Sequence, residues 1–338
     1  MIMNSFKSIS RTLFALSVFT ATPLFAETAT SQPSTQQEPL NISGTLEVEG
    51  YGERVAGKTT SEFVLATFET RLERQLSKHV FAHATLLFEE DGDNELLVDE
   101  AFITYKALNS PWYVKAGRFT QPFGWFESGM ISDPLTLELG ETKHHAALLL
   151  GTESEQLSAA LGMFRGDVQY DNNPSIDSFV AAVATNFTLG KEMRGTLGAS
   201  FTNNMGDTDG LQDLFDDGAG NLVGTEKVSG YSFYGSLAQG ALTLRAEYVA
   251  AANSFVDGTL AGLKPSASNV EVSYAVREGV DVTARYGSGS DMDIANQYGA
   301  ALACTVDGAA TLGVEYLHNS MDSAADANRL TVQLAVEF

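Results

Sequence analysis

The side chains able to do chemistry in this sequence are mostly charged, and they recur in steps of two. Arg71, Lys115, Arg194, Arg245, Arg277, Arg285 and Arg329 alternate with apolar or small neighbours. On the same parity stand Glu47, Glu49, Glu69, Glu73, Glu89, Glu247, Glu271, Asp281, Glu315 and Glu337. Successive side chains of a strand point to opposite faces, so one face gathers both signs of charge. Mixed charges around a wet passage set a field that sorts solutes by their charge distribution. Pairing across neighbouring strands is the plainer reading for any one of them. A second charged set lies in one irregular stretch, Thr120–Thr142, with Glu127, Asp133, Glu138 and Glu141, followed by Lys143, His144 and His145.

The elements that must position these groups are strands. Ile42, Leu46 and Val48 alternate with Ser43, Thr45, Glu47 and Glu49, and the same rhythm recurs as far as Arg329–Phe338. Sixteen such segments can be marked out, each of about the 9–11 residues a tilted membrane strand needs. Short turns such as Asn109-Ser110, Gln239-Gly240 and Glu278-Gly279 alternate with longer connections at Arg54–Thr60, Asp91–Glu95, Thr120–Thr142, Asp167–Asp177, Asn203–Lys227, Asn253–Pro265, Ser288–Asn296 and Asn319–Ala327. Short turns on one rim and long loops on the other, with an even strand count, is the outer-membrane barrel pattern. Tyr231, Phe233, Tyr248, Tyr274, Tyr286, Tyr298 and Tyr316 fall on the apolar parity and are placed to form an interfacial girdle.

Thr120–Thr142 is punctuated by Pro122, Gly124, Gly129, Pro134 and Gly140, yet it carries Phe123, Trp125, Phe126, Met130, Ile131, Leu135, Leu137 and Leu139. A solvated loop seldom holds so many apolar groups, so this one is expected to fold into the lumen and narrow it. The candidate lining residues are then Arg71, Lys115, Arg194, Arg245 and Arg285 on strands, with Asp133, Glu138 and Glu141 on the loop. Arg118 joins them conditionally. Strict alternation points it outward, and a bulge beside Gly117 would turn it in.

The remaining composition narrows the function classes. Twenty basic residues against 43 acidic ones, a net charge of -23, exclude a basic nucleic-acid footprint. The single cysteine, Cys304, forms no intrachain disulfide. The histidines at 79, 83, 144, 145 and 318 sit in no catalytic motif, and G-x-S-x-G and H-E-x-x-H are missing, so no enzyme is expected. Asp207, Asp209, Asp213, Asp216 and Asp217 in the Asn203–Lys227 loop have oxygen-rich spacing that can bind Ca²⁺. They lack the twelve-residue pattern and closing Glu, and an acidic solvated loop is the better reading. No cofactor is expected beyond that. Residues 1–26 read as a secretory leader, with Lys7 and Arg11 before the apolar run Leu13–Ala21. Residues 27–39 are polar and of low complexity and read as a disordered periplasmic tail, and residues 40–338 are expected to form the barrel.

The segments GRFTQPFGWFESGMISDPLTLELGET and LLFEEDGDNELLVDEAFI resemble the LbtU family of siderophore porins. GRFTQPFG is more loosely similar to the phosphate-selective porins. The specific similarity covers residues 86–142, and a looser one runs from about Ile42 to Phe338. Some relatives carry a longer N-terminal periplasmic region than Glu27–Pro39 supplies. The last strand, ending in Leu334, Val336 and Phe338, resembles the signal that barrel-assembly machinery reads. The expectation is therefore an all-β, sixteen-stranded antiparallel transmembrane barrel in a Gram-negative outer membrane, with a folded-in constriction loop. The resemblance implies facilitated diffusion of a ferric siderophore. A general or anion-preferring porin is the alternative, and a barrel enzyme or adhesin comes third. The expected partners are the solute, outer-membrane lipid and lipopolysaccharide, and the assembly machinery.

Overall fold

A computed structural model describes residues 39–90, 95–170 and 175–338. The expected leader and the polar segment up to residue 38 lie outside the described residues. The strands in chain order are β1 (Asn41–Val55), β2 (Lys58–Ser77), β3 (Val80–Phe88), β4 (Leu97–Lys106), β5 (Trp112–Thr120), β6 (Lys143–Glu153), β7 (Leu157–Phe164), β8 (Gln169–Tyr170) and β9 (Ser178–Leu189). They continue with β10 (Met193–Thr202), β11 (Val223–Gly224), β12 (Gly230–Gln239), β13 (Leu242–Ala251), β14 (Ser266–Arg277), β15 (Val280–Ser290), β16 (Ile294–Thr305), β17 (Ala310–Met321) and β18 (Ala327–Glu337). Sixteen of these close into one antiparallel barrel, each beside its chain neighbour, with β18 returning to β1. The two-residue strands β8 and β11 pair with each other outside it.

Closure follows from the alternation. At the seam Thr45 faces Glu337 and Val55 faces Ala327. The inward Glu47 is 1% exposed while the outward Leu334 is 48% exposed. An exterior of Leu, Val, Phe and Tyr fits lipid, where every backbone polar group must be satisfied within a closed sheet. Tyr248, Tyr274, Tyr286, Tyr298 and Tyr316 all lie on that exterior. Phe338 exchanges backbone bonds with Gly44, and its ring fills the space a Cβ at Gly44 would need.

Chain connections on the long-loop rim differ in three places from the expectation. Arg54–Thr60 is not a long loop: β1 and β2 remain paired up to Val55 and Lys58. The two residues between them, Ala56 and Gly57, take positive φ of 49° and 81°, as a two-residue primed hairpin turn requires. Ser288–Asn296 and Asn319–Ala327 also shorten, because β15, β16, β17 and β18 extend into them. Among the described residues, the long connections lie in the middle of the chain.

They fill the lumen on one side. The main buried apolar cluster joins Phe119, Phe123, Phe126, Leu135, Leu137 and Leu139 to Met205, Leu211, Phe215, Phe255 and Leu260. The loops after β10 and β13 therefore pack over the inserted segment. Within that segment runs the one-and-a-half-turn helix α1 (Leu135–Gly140), begun at Pro134, which tolerates this place because its missing N–H would have no partner there.

Candidate functional site

The segment between β5 and β6 is pinched at its neck, where Gln121 N–H donates to the Thr142 carbonyl at 2.8 Å. Beyond the neck its backbone has no strand beside it, so its N–H groups need acceptors from elsewhere. The wall supplies them as carboxylates. Glu247 on β13 accepts from Trp125 N–H (2.7 Å) and Phe126 N–H (3.0 Å), and also from the Thr136 and Ser232 hydroxyls. Glu271 on β14 accepts from Gly129 N–H (2.8 Å) and the Ser128 hydroxyl (2.9 Å). Glu315 on β17 accepts from Ile131 N–H (2.7 Å) and Ser132 N–H (3.1 Å).

The captured positions advance by three residues, so each glutamate takes the next exposed pair of donors as the segment crosses the wall. A hydrogen bond to a charged group contributes about 1.5–3 kcal/mol, more than a neutral one. Three such seats, each in a dry site, fix the segment firmly. Gly129 allows the closest approach: a Cβ there would lie 2.5 Å from the Thr283 hydroxyl. Arg285 on β15 lies beneath, with Nε 2.8 Å from Glu271 and Nη1 2.9 Å from the Asp133 carbonyl. Both members of that ion pair are fully buried, and the added hydrogen bonds offset the cost of desolvating them.

The candidate residues fall into different surroundings. Arg71 faces inward near the short-turn rim and pairs with Glu69 at 2.6 Å. Lys115 also faces inward, its ammonium 4.2 Å from the Phe102 ring centre and 4.9 Å from that of Phe119. Arg194 is exposed at the start of β10. Arg245 donates to the Ser273 hydroxyl at 3.0 Å and stands 3.7 Å from Glu127. Arg118 stays on the outward parity opposite Ala101 and donates to the Asp99 carbonyl at 2.8 Å. The register irregularity beside Gly117 does not bring it into the lumen. Arg285 is buried under the loop rather than set across a passage from it.

On the loop, Glu138 is half-buried on α1 and Asp133 offers its carbonyl to Arg285. Glu141 is buried, 3.9 Å from the Lys143 ammonium, which itself donates to Asp99 at 2.7 Å. It ties the foot of the loop to the barrel and does not face open lumen. The loop carboxylate that remains open is Glu127, with 42% of its side chain exposed. Burial pushes the Glu127 carboxyl up from the usual carboxylate range, and Arg245 beside it holds the rise back. Two residues earlier Trp125 stacks on Tyr234 of β12, with ring centres 5.3 Å apart.

Sequence reasoning placed Glu247, Glu271 and Glu315 on the inward face but missed what they hold. The usable signal was Ser128, Gly129 and Ser132, polar or small residues in an otherwise apolar loop, in a chain with more inward carboxylates than inward cations. The Asn203–Lys227 loop departs from the solvated reading only in its first part, while Asp213, Asp216 and Asp217 are exposed. Asp207 is buried and accepts from Asp167 N–H (2.8 Å) and Val168 N–H (2.9 Å). Asp216 and Asp217 spend their oxygens on turn N–H groups from Gly218 to Asn221. Among the described residues no three His, Cys, Asp or Glu side chains converge as a metal site.

Residues 71–316 match the family of phosphate-selective porins O and P. The UPF0422 protein of Coxiella burnetii is 30% identical over 263 residues, which is 73% of this chain and 55% of that protein. The UPF0422 protein lpp3030 of Legionella pneumophila is 24% identical over 245 residues, 63% of this chain and 44% of that protein. The chain thus spans about half the length of the curated relatives it matches. Among solved structures, an anion-selective porin from Comamonas acidovorans superposes with a TM-score of 0.63 at 12% identity, over 89% of this chain and 99% of that one. The outer membrane channel DcaP of Acinetobacter baumannii gives 0.62 at 14% identity, over 88% and 97%. Salmonella typhi OmpF gives 0.61 at 13% identity, over 90% and 100%. At these identities the structural likeness establishes the fold.

Proposed function

The chain belongs to the family of phosphate-selective porins O and P, an outer-membrane barrel passing small solutes, and from that premise we propose a diffusion channel with no phosphate site of its own. It takes small polar solutes of either charge past the seated loop. The observation that carries this reading is that four of the seven cations on the inward parity, and Lys143 at the foot of the loop, have a carboxylate partner. Arg71 is matched by Glu69, Arg245 by Glu127, Arg285 by Glu271, Arg329 by Glu53 and Lys143 by Asp99. Lys115 is folded onto two aromatic rings. A phosphate site needs donors left open to the anion, and paired guanidinium groups leave few.

Ferric siderophore, implied by the resemblance of residues 86–142, is the second reading. That resemblance falls on the inserted loop and the strands leading to it, the part of the chain that sets passage size. A bulky iron complex then requires the loop to leave its three glutamates.

Reconstitution in planar bilayers separates these readings. The expected result is ion conductance with weak charge preference, unaffected by millimolar phosphate. Chloride current blocked by phosphate at those concentrations would overturn the first reading. Liposome uptake of ferric siderophore at a rate matching small sugars would favour the second.

A further inference from the structure

Beside the ion pair on the open side of the loop lies an aromatic surface that loop anchoring does not require. Tyr234 lies flat on the wall, its ring occupying the space that a Cβ at Gly198 would need. Trp125 stacks on it at an interplanar angle of 21°, and both rings are half-buried. The Trp125 backbone N–H donates to Glu247 at 2.7 Å and fixes the main chain from which the indole projects. Arg245 stands two residues along β13 from Glu247, the partner of Tyr234, and Glu127 lies close enough to act on the Tyr234 hydroxyl; their side chains are 22% and 42% exposed. Their contact at 3.7 Å is looser than the roughly 2.7–2.9 Å of a charge-assisted hydrogen bond. Arg245 is meanwhile steadied by Ser273 at 3.0 Å, so its guanidinium is held in place with Glu127 as its carboxylate partner.

We propose that Trp125, Tyr234, Glu127 and Arg245 form a solute subsite for small zwitterions that carry a planar ring, the chemistry of an aromatic amino acid. The inference rests on the channel reading above and names the solute class that would linger in it. A plain anion at Arg245 must displace Glu127 and leave that carboxylate without a cation. A plain cation at Glu127 strands Arg245 in the same way. A zwitterion inserts between them, carboxylate to guanidinium and ammonium to carboxylate, and every charge keeps a partner. The ring then lies on the Trp125–Tyr234 stack, where offset stacking adds attraction beyond area burial. The geometry favours weak, short-lived binding, which suits a channel because a solute must leave as readily as it enters.

The test uses the full chain in planar bilayers, with phenylalanine, glycine, benzoate and phenethylamine as four probes of equal or smaller size. Phenylalanine should interrupt the potassium chloride current at concentrations where the other three leave it unchanged. Trp125→Ala should weaken that block by roughly tenfold and Trp125→Phe by much less. Glu127→Gln should remove the advantage of phenylalanine over benzoate while leaving heat-modifiable migration intact. Equal block by benzoate and phenylalanine, or none by either in a conducting channel, overturns the subsite alone. A folded barrel that conducts nothing overturns the channel reading itself.

Discussion

Removing the Glu247 carboxylate probes how the inserted loop is held. Glu247 is buried and accepts four hydrogen bonds, two from backbone N–H groups of Trp125 and Phe126. Glu247→Ala leaves both N–H groups in a dry site, at about 1–3 kcal/mol each, so the seated loop loses roughly 2–6 kcal/mol. On the other side stand Phe123, Phe126, Leu135, Leu137 and Leu139, all buried by the seated loop. At about 1.5–3 kcal/mol each they contribute on the order of 7–15 kcal/mol, an upper bound because the released loop stays partly collapsed. The seat therefore survives in Glu247→Ala, but excursions from it rise by a factor of about thirty or more.

Single-channel recording reads this as added open-state noise with little change in mean conductance. Glu247→Ala combined with Glu315→Ala frees four N–H groups, at roughly 4–12 kcal/mol, which rivals the apolar term. That variant should show a higher or fluctuating conductance. Glu271 is avoided in the series because its loss strands Arg285, a fully buried cation, and confounds folding with gating. A double variant that folds, migrates as a heat-modifiable barrel and conducts as quietly as the parent would refute the account of the seat.

Two further outcomes follow from the same geometry. Deleting Gly124–Glu138 should raise single-channel conductance while unheated protein still runs faster than boiled protein on a denaturing gel, because barrel closure uses none of those residues. Gly129→Ala sets a Cβ 2.5 Å from the Thr283 hydroxyl and 3.0 Å from that of Ser273. It should lift the loop locally at a cost of about 1–3 kcal/mol, seen as open-state noise that a second change, Thr283→Ala, partly suppresses.

The barrel was legible because alternation is a local property. Every inward or outward assignment depends only on neighbours two residues away, and lipid on one side makes the contrast strong. The folded-in loop was legible too, since Phe123, Leu135 and Leu139 need burial wherever the chain runs. Ala56-Gly57 was missed because an alanine at positive φ gives no signal, so a tight hairpin passed for a loop. The charge pairs were beyond reach for another reason. Parity tells which face a side chain takes but not its height or its partner across the lumen, and Glu247 meets Trp125 across 122 positions of sequence. Arg118 illustrates the same limit, because an irregular register beside Gly117 left its parity unchanged.

The loop is held by glutamates rather than by basic side chains because of what an unpartnered backbone offers. Its donors come in consecutive pairs, two backbone N–H groups at Trp125-Phe126 and at Ile131-Ser132 and a hydroxyl with an N–H at Ser128-Gly129, and a carboxylate is an acceptor with two oxygens and no donor to waste. Lysine or arginine could serve only the carbonyls. Each seat hides a negative charge, and only Glu271 has a guanidinium against it; the charges of Glu247 and Glu315 are spread over hydrogen-bond donors instead. Those three glutamates are thereby withdrawn from the solute's path. What the passage presents instead is the Arg245–Glu127 and Arg71–Glu69 pairs, whose fields act as dipoles and fall off faster than that of a net charge. A net charge of -23 is then no guide to ion preference. Discrimination rests on how a solute's own charges are arranged and on whether it has a flat face to lay against Trp125.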